Sequence, residues 1–148
     1  MKRLHMGVSV ADLAQSIRFY STLFGAAPTV VKEDYAKWLL EDPRVNFAIS
    51  VGRSGGGPGI DHVGIQTESA EELAEIAQRL RSAGETQLEQ PAARCCYAVS
   101  DKSWVEDPSG LRWETFFTHG EITSFGEDLG PLRAGDVKAA AERSVCCP

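Results

Sequence analysis

Apolar positions along the chain follow two periodicities. Leu4-His5-Met6-Gly7-Val8-Ser9-Val10 is a short apolar run with β-branched members, too brief for a helix, and reads as a strand. Asp12 then stands at an N-cap position. Leu13, Ile17, Tyr20, Leu23 and Phe24 recur at helical spacing, Gly25 suits a left-handed C-terminal cap and Pro28 bars continuation. Pro28 to Lys32, Tyr35 to Leu40 and Val45 to Val51 read as strands, parted by Glu33-Asp34 and by the turn Glu41-Asp42-Pro43-Arg44. Residues 1–51 thus form a βαβββ module.

Residues 52–59, with five Gly and one Pro in eight positions, cannot pack as an element and read as a linker. Beyond it the pattern restarts. Ile60-Asp61-His62-Val63-Gly64-Ile65 echoes Leu4-His5-Met6-Gly7-Val8, and Ser69 with Glu72 forms a capping box ahead of Leu73, Ile76, Ala77 and Leu80, with Gly84 closing the helix. A Trp precedes an Asp-Pro turn in each half, at Trp38 before Asp42-Pro43 and at Trp104 before Asp107-Pro108. His5 and His62 are 57 residues apart and Pro43 and Pro108 are 65 apart, so residues 60–118 read as a second βαβββ module in an internal duplication. The two halves make one structural domain of the α+β class. Residues 119–148 read as a polar extension with little to bury, and His119 falls at its start, in an expected loop.

Composition narrows the function classes. A chain of 148 residues with net charge −6 has the wrong sign for holding phosphate backbones, so nucleic acid is not an expected partner. No apolar run reaches the roughly 18 residues that span a bilayer, and no signal peptide is recognisable, so a reducing cytoplasm is the expected compartment. The four Cys form two adjacent pairs, Cys95-Cys96 and Cys146-Cys147. Adjacent residues fit disulfide geometry poorly, so both pairs read as free thiols, soft ligands for a thiophilic ion without the spacing of structural zinc.

Each of His5, His62 and Glu114 sits near the centre of a short predicted strand. Alone, a strand His is more often a hydrogen-bonded core residue than a ligand. The repeat changes this, because His5 and His62 hold the same position in each module. Modules packed about a pseudo-twofold axis bring both to one cleft, and Glu114 enters from the last strand. Two His and one carboxylate are the facial set that suits non-haem Fe(II), with Mn, Ni and Zn also compatible by ligand type.

The two βαβββ modules, the two His-x-Gly motifs and the run Glu106-Asp107-Pro108-Ser109-Gly110-Leu111-Arg112-Trp113-Glu114 resemble the vicinal oxygen chelate superfamily, over roughly residues 1–118. This implies an open barrel of paired modules around a metal site. With Cys95-Cys96 and the cysteine-ended tail, the chain looks like the branch of cadmium-induced proteins and carbon–arsenic lyases, which are Fe(II)-dependent dioxygenases acting on trivalent organoarsenicals. The resemblance implies His5, His62 and Glu114 as metal ligands, Cys95 and Cys96 as the arsenic-binding pair, dioxygen as co-substrate, and a monomer or homodimer. The position near Phe47, a fourth metal ligand in glyoxalase-type members, is apolar here, which favours oxygenase over isomerase chemistry. Arg94 and Lys102 are equally placed to promote thiolate formation. Two other readings compete: a protein of the same fold that sequesters cadmium or a drug without turnover, and a glyoxalase-like isomerase that needs no dioxygen.

Overall fold

The structure is a computed structural model that describes residues 1–51, 57–95 and 97–121, the side chains of Cys95 and Glu121 excepted. The described chain is a mixed α+β fold. Its elements are β1 (Arg3–Val10), α1 (Leu13–Phe24), β2 (Val30–Val31), β3 (Tyr35–Glu41), β4 (Arg44–Val51), β5 (Gly59–Thr67), α2 (Ala70–Ser82), β6 (Leu88–Cys95), β7 (Ala98–Glu106) and β8 (Arg112–Glu121). They divide into two compact units, Arg3–Val63 and Met1–Lys2 with Gly64–Pro148, so that β5 contributes to both.

In the first unit the strands run β2-β3-β4-β1, with the first half of β5 beside β1. β1 pairs parallel to β4, with His5 opposite Asn46, and β4 pairs antiparallel to β3. Strand alternation separates two faces. Met6, Val8 and Val10, Val45, Phe47 and Ile49, and Ala36, Trp38 and Leu40 pack with Leu13, Ile17, Tyr20 and Phe24 of α1. Tyr20 and Phe47 lie 4.6 Å apart between ring centroids, and the fully buried Trp38 donates its indole N–H to the Ala26 carbonyl at 3.0 Å. His5, Gly7 and Ser9, with Asn46 and Ala48, belong to the opposite face.

The helix ends follow their cap residues. The Asp12 carboxylate accepts the Gln15 N–H at 2.8 Å, and Gly25 takes the left-handed conformation with φ 63°. Ser69 accepts the Glu72 N–H at 3.2 Å, while Glu72 reaches back to the Glu68 N–H at 3.0 Å. The cap of α2 is Ala83, and the positive φ expected of Gly84 occurs one residue beyond it.

In the second unit β8, β7 and β6 form an antiparallel ladder, with the second half of β5 beside β8. The Asp107 carboxylate accepts the N–H groups of Ser109 (2.8 Å) and Leu111 (3.0 Å), fixing the turn that launches β8.

Three expectations are revised. β2 is only Val30–Val31: ahead of it Pro28 has no N–H to give a ladder, and after it the Lys32 N–H closes the turn onto the Tyr35 carbonyl at 2.8 Å. Gly59, expected in the linker, begins β5. β6 itself is interrupted by a bulge between Gln90 and Ala93. His119 is in β8 and not in a loop, since Gly120 still pairs with Val99. Residues 52–56 of the expected linker, Cys96, and all of the extension after residue 121, with Cys146 and Cys147, lie outside the described residues.

Candidate metal centre

His5 and His62 come together within the first unit. His5 is buried on β1, and its Nδ1 lies 3.0 Å from the Asn46 carbonyl oxygen. His62 Nδ1 lies 2.7 Å from Asp61 Oδ2. A carbonyl and a carboxylate only accept, so each Nδ1 is the donor, and in the neutral rings both Nε2 atoms carry lone pairs. These two Nε2 atoms face each other at 3.0 Å. Two lone pairs at that spacing repel unless a proton or a metal ion lies between them. Ligand bonds of about 2.1 Å meeting at a right angle place two nitrogens about 3.0 Å apart, whereas a tetrahedral angle needs about 3.4 Å. The pair therefore fits adjacent positions on one metal ion, with Asp61 and the Asn46 carbonyl orienting the rings.

Glu114 is a buried residue of β8 in the second unit. Its Oε1 accepts from Lys102 Nζ at 2.5 Å, and the side chains are only 3% and 8% exposed. The ladder explains the pairing: Glu114 lies opposite Trp104 and Lys102 opposite Phe116, so Lys102 and Glu114 are diagonal neighbours on one face. Lys102 thus has a carboxylate partner that spacing alone did not reveal. Its ammonium also stands 5.8 Å from the centre of the Phe116 ring.

Cys95 ends β6, opposite Ala98 in the ladder. Just upstream Ala92 adopts a positive φ of 52°, and its N–H donates to Asp101 Oδ1 at 2.8 Å. That bond, and to a smaller degree a hydrogen bond from His119, hold the Asp101 carboxyl below its usual pKa against the opposing effect of burial. Asp101 Oδ2 and His119 Nε2 are 2.8 Å apart.

Phe47 does not line this face; it belongs to the α1 core. The residues of β4 on the side of His5 are Arg44, Asn46, Ala48 and Ser50, none of them a carboxylate or a histidine. Sequence reading missed Asp61, Asn46 and Asp101 as partners. Only Asp61 left a signal, through its place immediately before His62.

The sequence profile of the Glyoxalase/Bleomycin resistance protein/Dioxygenase superfamily matches residues 2–115. The chain belongs to that superfamily. It is 46% identical over 148 residues to the trivalent organoarsenical cleaving enzyme of Bacillus sp. (strain MD1), covering 99% of this chain and 91% of the relative. It is 36% identical over 148 residues to the cadmium-induced protein CadI of Mycobacterium tuberculosis (strain ATCC 25618 / H37Rv), covering 99% of this chain and 93% of the relative. Among solved structures, an anaerobic substrate complex of homoprotocatechuate 2,3-dioxygenase from Brevibacterium fuscum superposes with a TM-score of 0.60 at 18% identity, over 83% of this chain and 38% of that one. That likeness establishes the vicinal oxygen chelate fold and leaves the reaction open.

Proposed function

We propose that the protein cleaves the carbon–arsenic bond of trivalent organoarsenicals and releases arsenite, with His5, His62 and Glu114 holding one Fe(II) ion and Cys95 and Cys96 holding the arsenic. The observation that carries this reading is the 3.0 Å approach of the two imidazole Nε2 atoms, in a chain 46% identical to an enzyme named for that cleavage. Glu114 as third ligand is supported by β5. Gly64 lies on the same side of that strand as His62, two residues on, and a Cβ at Gly64 would meet the main chain of Glu114.

Each residue then has a task. Asp61 and the Asn46 carbonyl fix the imidazole tautomers, leaving both Nε2 atoms as ligands. Lys102 donates to Glu114 Oε1 and orients that carboxylate. The two cysteine thiols exchange for the two hydroxyls of the organoarsenical, forming two arsenic–sulfur bonds and releasing two waters. The carbon substituent is then held in one orientation. Bound Fe(II) supplies the activation of dioxygen. The stoichiometry closes without a further reductant: methylarsonous acid and dioxygen yield arsenous acid and formaldehyde. The absence of an acidic or histidine residue at Asn46 and Ala48 supports open metal positions.

Anaerobic protein loaded with Fe(II) and given methylarsonous acid, with and without dioxygen, tests the reading. Arsenite is expected only when iron and dioxygen are both present, and in neither Cys95→Ser nor Glu114→Ala. Tight substrate binding with no arsenite under any condition would instead indicate sequestration, and equal turnover without dioxygen an isomerase-type or hydrolytic activity.

A further inference from the structure

We infer that Gly7 is a positioning residue of the metal centre, because the missing side chain at Gly7 sets where the His62 imidazole lies. The inference rests on the metal reading above. On β1, His5, Gly7 and Ser9 share one buried face, and the His62 ring lies over Gly7. A Cβ at Gly7 would stand 2.5 Å from Cε1 and 2.9 Å from both Nδ1 and Nε2 of His62, so the ring face, not one edge atom, covers the glycine. Carbon atoms in contact sit about 3.5–4.0 Å apart, so an alanine forces the ring back by roughly 1 Å.

The consequence follows from which atoms obstruct. The ring is the end of a side chain with two rotatable bonds, so it can retreat without moving the backbone. Its position, however, is fixed by Asp61 Oδ2 at 2.7 Å on one nitrogen and by the facing His5 Nε2 at 3.0 Å on the other. A displacement of that size breaks at least one of these relations, and a metal site tolerates ligand distances only within about 0.2 Å. Gly7→Ala is therefore expected to keep the fold and to weaken metal binding. Gly64 is the contrasting case, since its Cβ would meet the carbonyl of Glu114, a backbone atom that cannot step aside.

The experiment is anaerobic titration of wild type and Gly7→Ala with Co(II), read by its visible spectrum. Thermal melting and the nitrogen resonances of the histidine rings in the metal-free protein are recorded alongside. Expected are a Kd raised by at least about tenfold in Gly7→Ala, a Tm within a few degrees of wild type, and a shifted His62 ring signal. Binding within twofold of wild type, or an unchanged His62 signal, overturns the inference. If Gly7→Ala does not fold, the double variant Gly7→Ala/His62→Ala decides. Recovery to the stability of His62→Ala supports the imidazole as the obstacle, and no recovery overturns it. A wild type that takes up no Co(II) removes the metal reading, and the His62 ring signal still tests the placement by Gly7.

Discussion

The two histidines differ in their supporting partners, a neutral carbonyl for His5 and a carboxylate for His62. A carboxylate raises the basicity of the imidazole that donates to it, so Asp61 strengthens His62 as a ligand. Asp61→Asn is expected to weaken Fe(II) or Co(II) binding about 10- to 100-fold, read by titration. The Lys102–Glu114 pair raises a different issue, because both side chains are nearly removed from water. Its net contribution against an apolar pair is small, whereas removing one partner strands a buried charge. Lys102→Met is therefore expected to destabilise the metal-free protein by about 3–5 kcal/mol in urea unfolding. Part of that loss should return when a divalent metal neutralises Glu114 in its place.

Secondary-structure elements position these residues through their ends and their ladders. The Asp12 cap on α1 is conventional in energy, and Asp12→Ala is expected to lower stability by about 1 kcal/mol, seen in the unfolding midpoint. The β6–β7 ladder is held differently, at the bulge ahead of Cys95, by Asp101 accepting from Ala92. Because the folded-state pKa of Asp101 is depressed, its contribution to stability is fully present above the ordinary carboxylate value of about 3.9 and disappears as pH falls through the lower folded value. Comparing unfolding of wild type and Asp101→Asn across the acid range should show a gap that is constant near neutrality and closes as pH falls below about 4.

For the whole molecule, the metal is expected to be required for turnover and to be removable. A chelator should abolish arsenite release, and Fe(II) should restore it. Zn(II), which has no accessible redox change, should occupy the ligands without restoring activity. Unfolding monitored at increasing metal concentration should move to higher temperature, since the folded chain alone presents the facing histidines. Among the described residues no helix is long and apolar enough to cross a membrane.

Much of this protein was determined by local rules that a sequence displays. The period of apolar residues and the caps at Asp12, Gly25 and Ser69 are short-range physics, and they placed α1, α2 and most strands within a residue or two. The duplicated His-x-Gly motif singled out His5 and His62, because one position repeated in two modules is improbable for core histidines. Tertiary structure decided what depends on pairing across strands. Phe47 and Asn46 are neighbours in sequence, yet the pleat sends one into the α1 core and sets the other on the side of His5, and that choice needs the β1–β4 register. Lys102 could be assigned to Glu114 only once β7 and β8 were aligned, since a diagonal contact depends on a register that both strands' side chains settle together. His119 stays in a strand because Val99 is there to pair with Gly120, a partner that no local pattern specifies. The close approach of the His62 ring to Gly7 likewise exists only in three dimensions, where an absent side chain becomes space for a ligand.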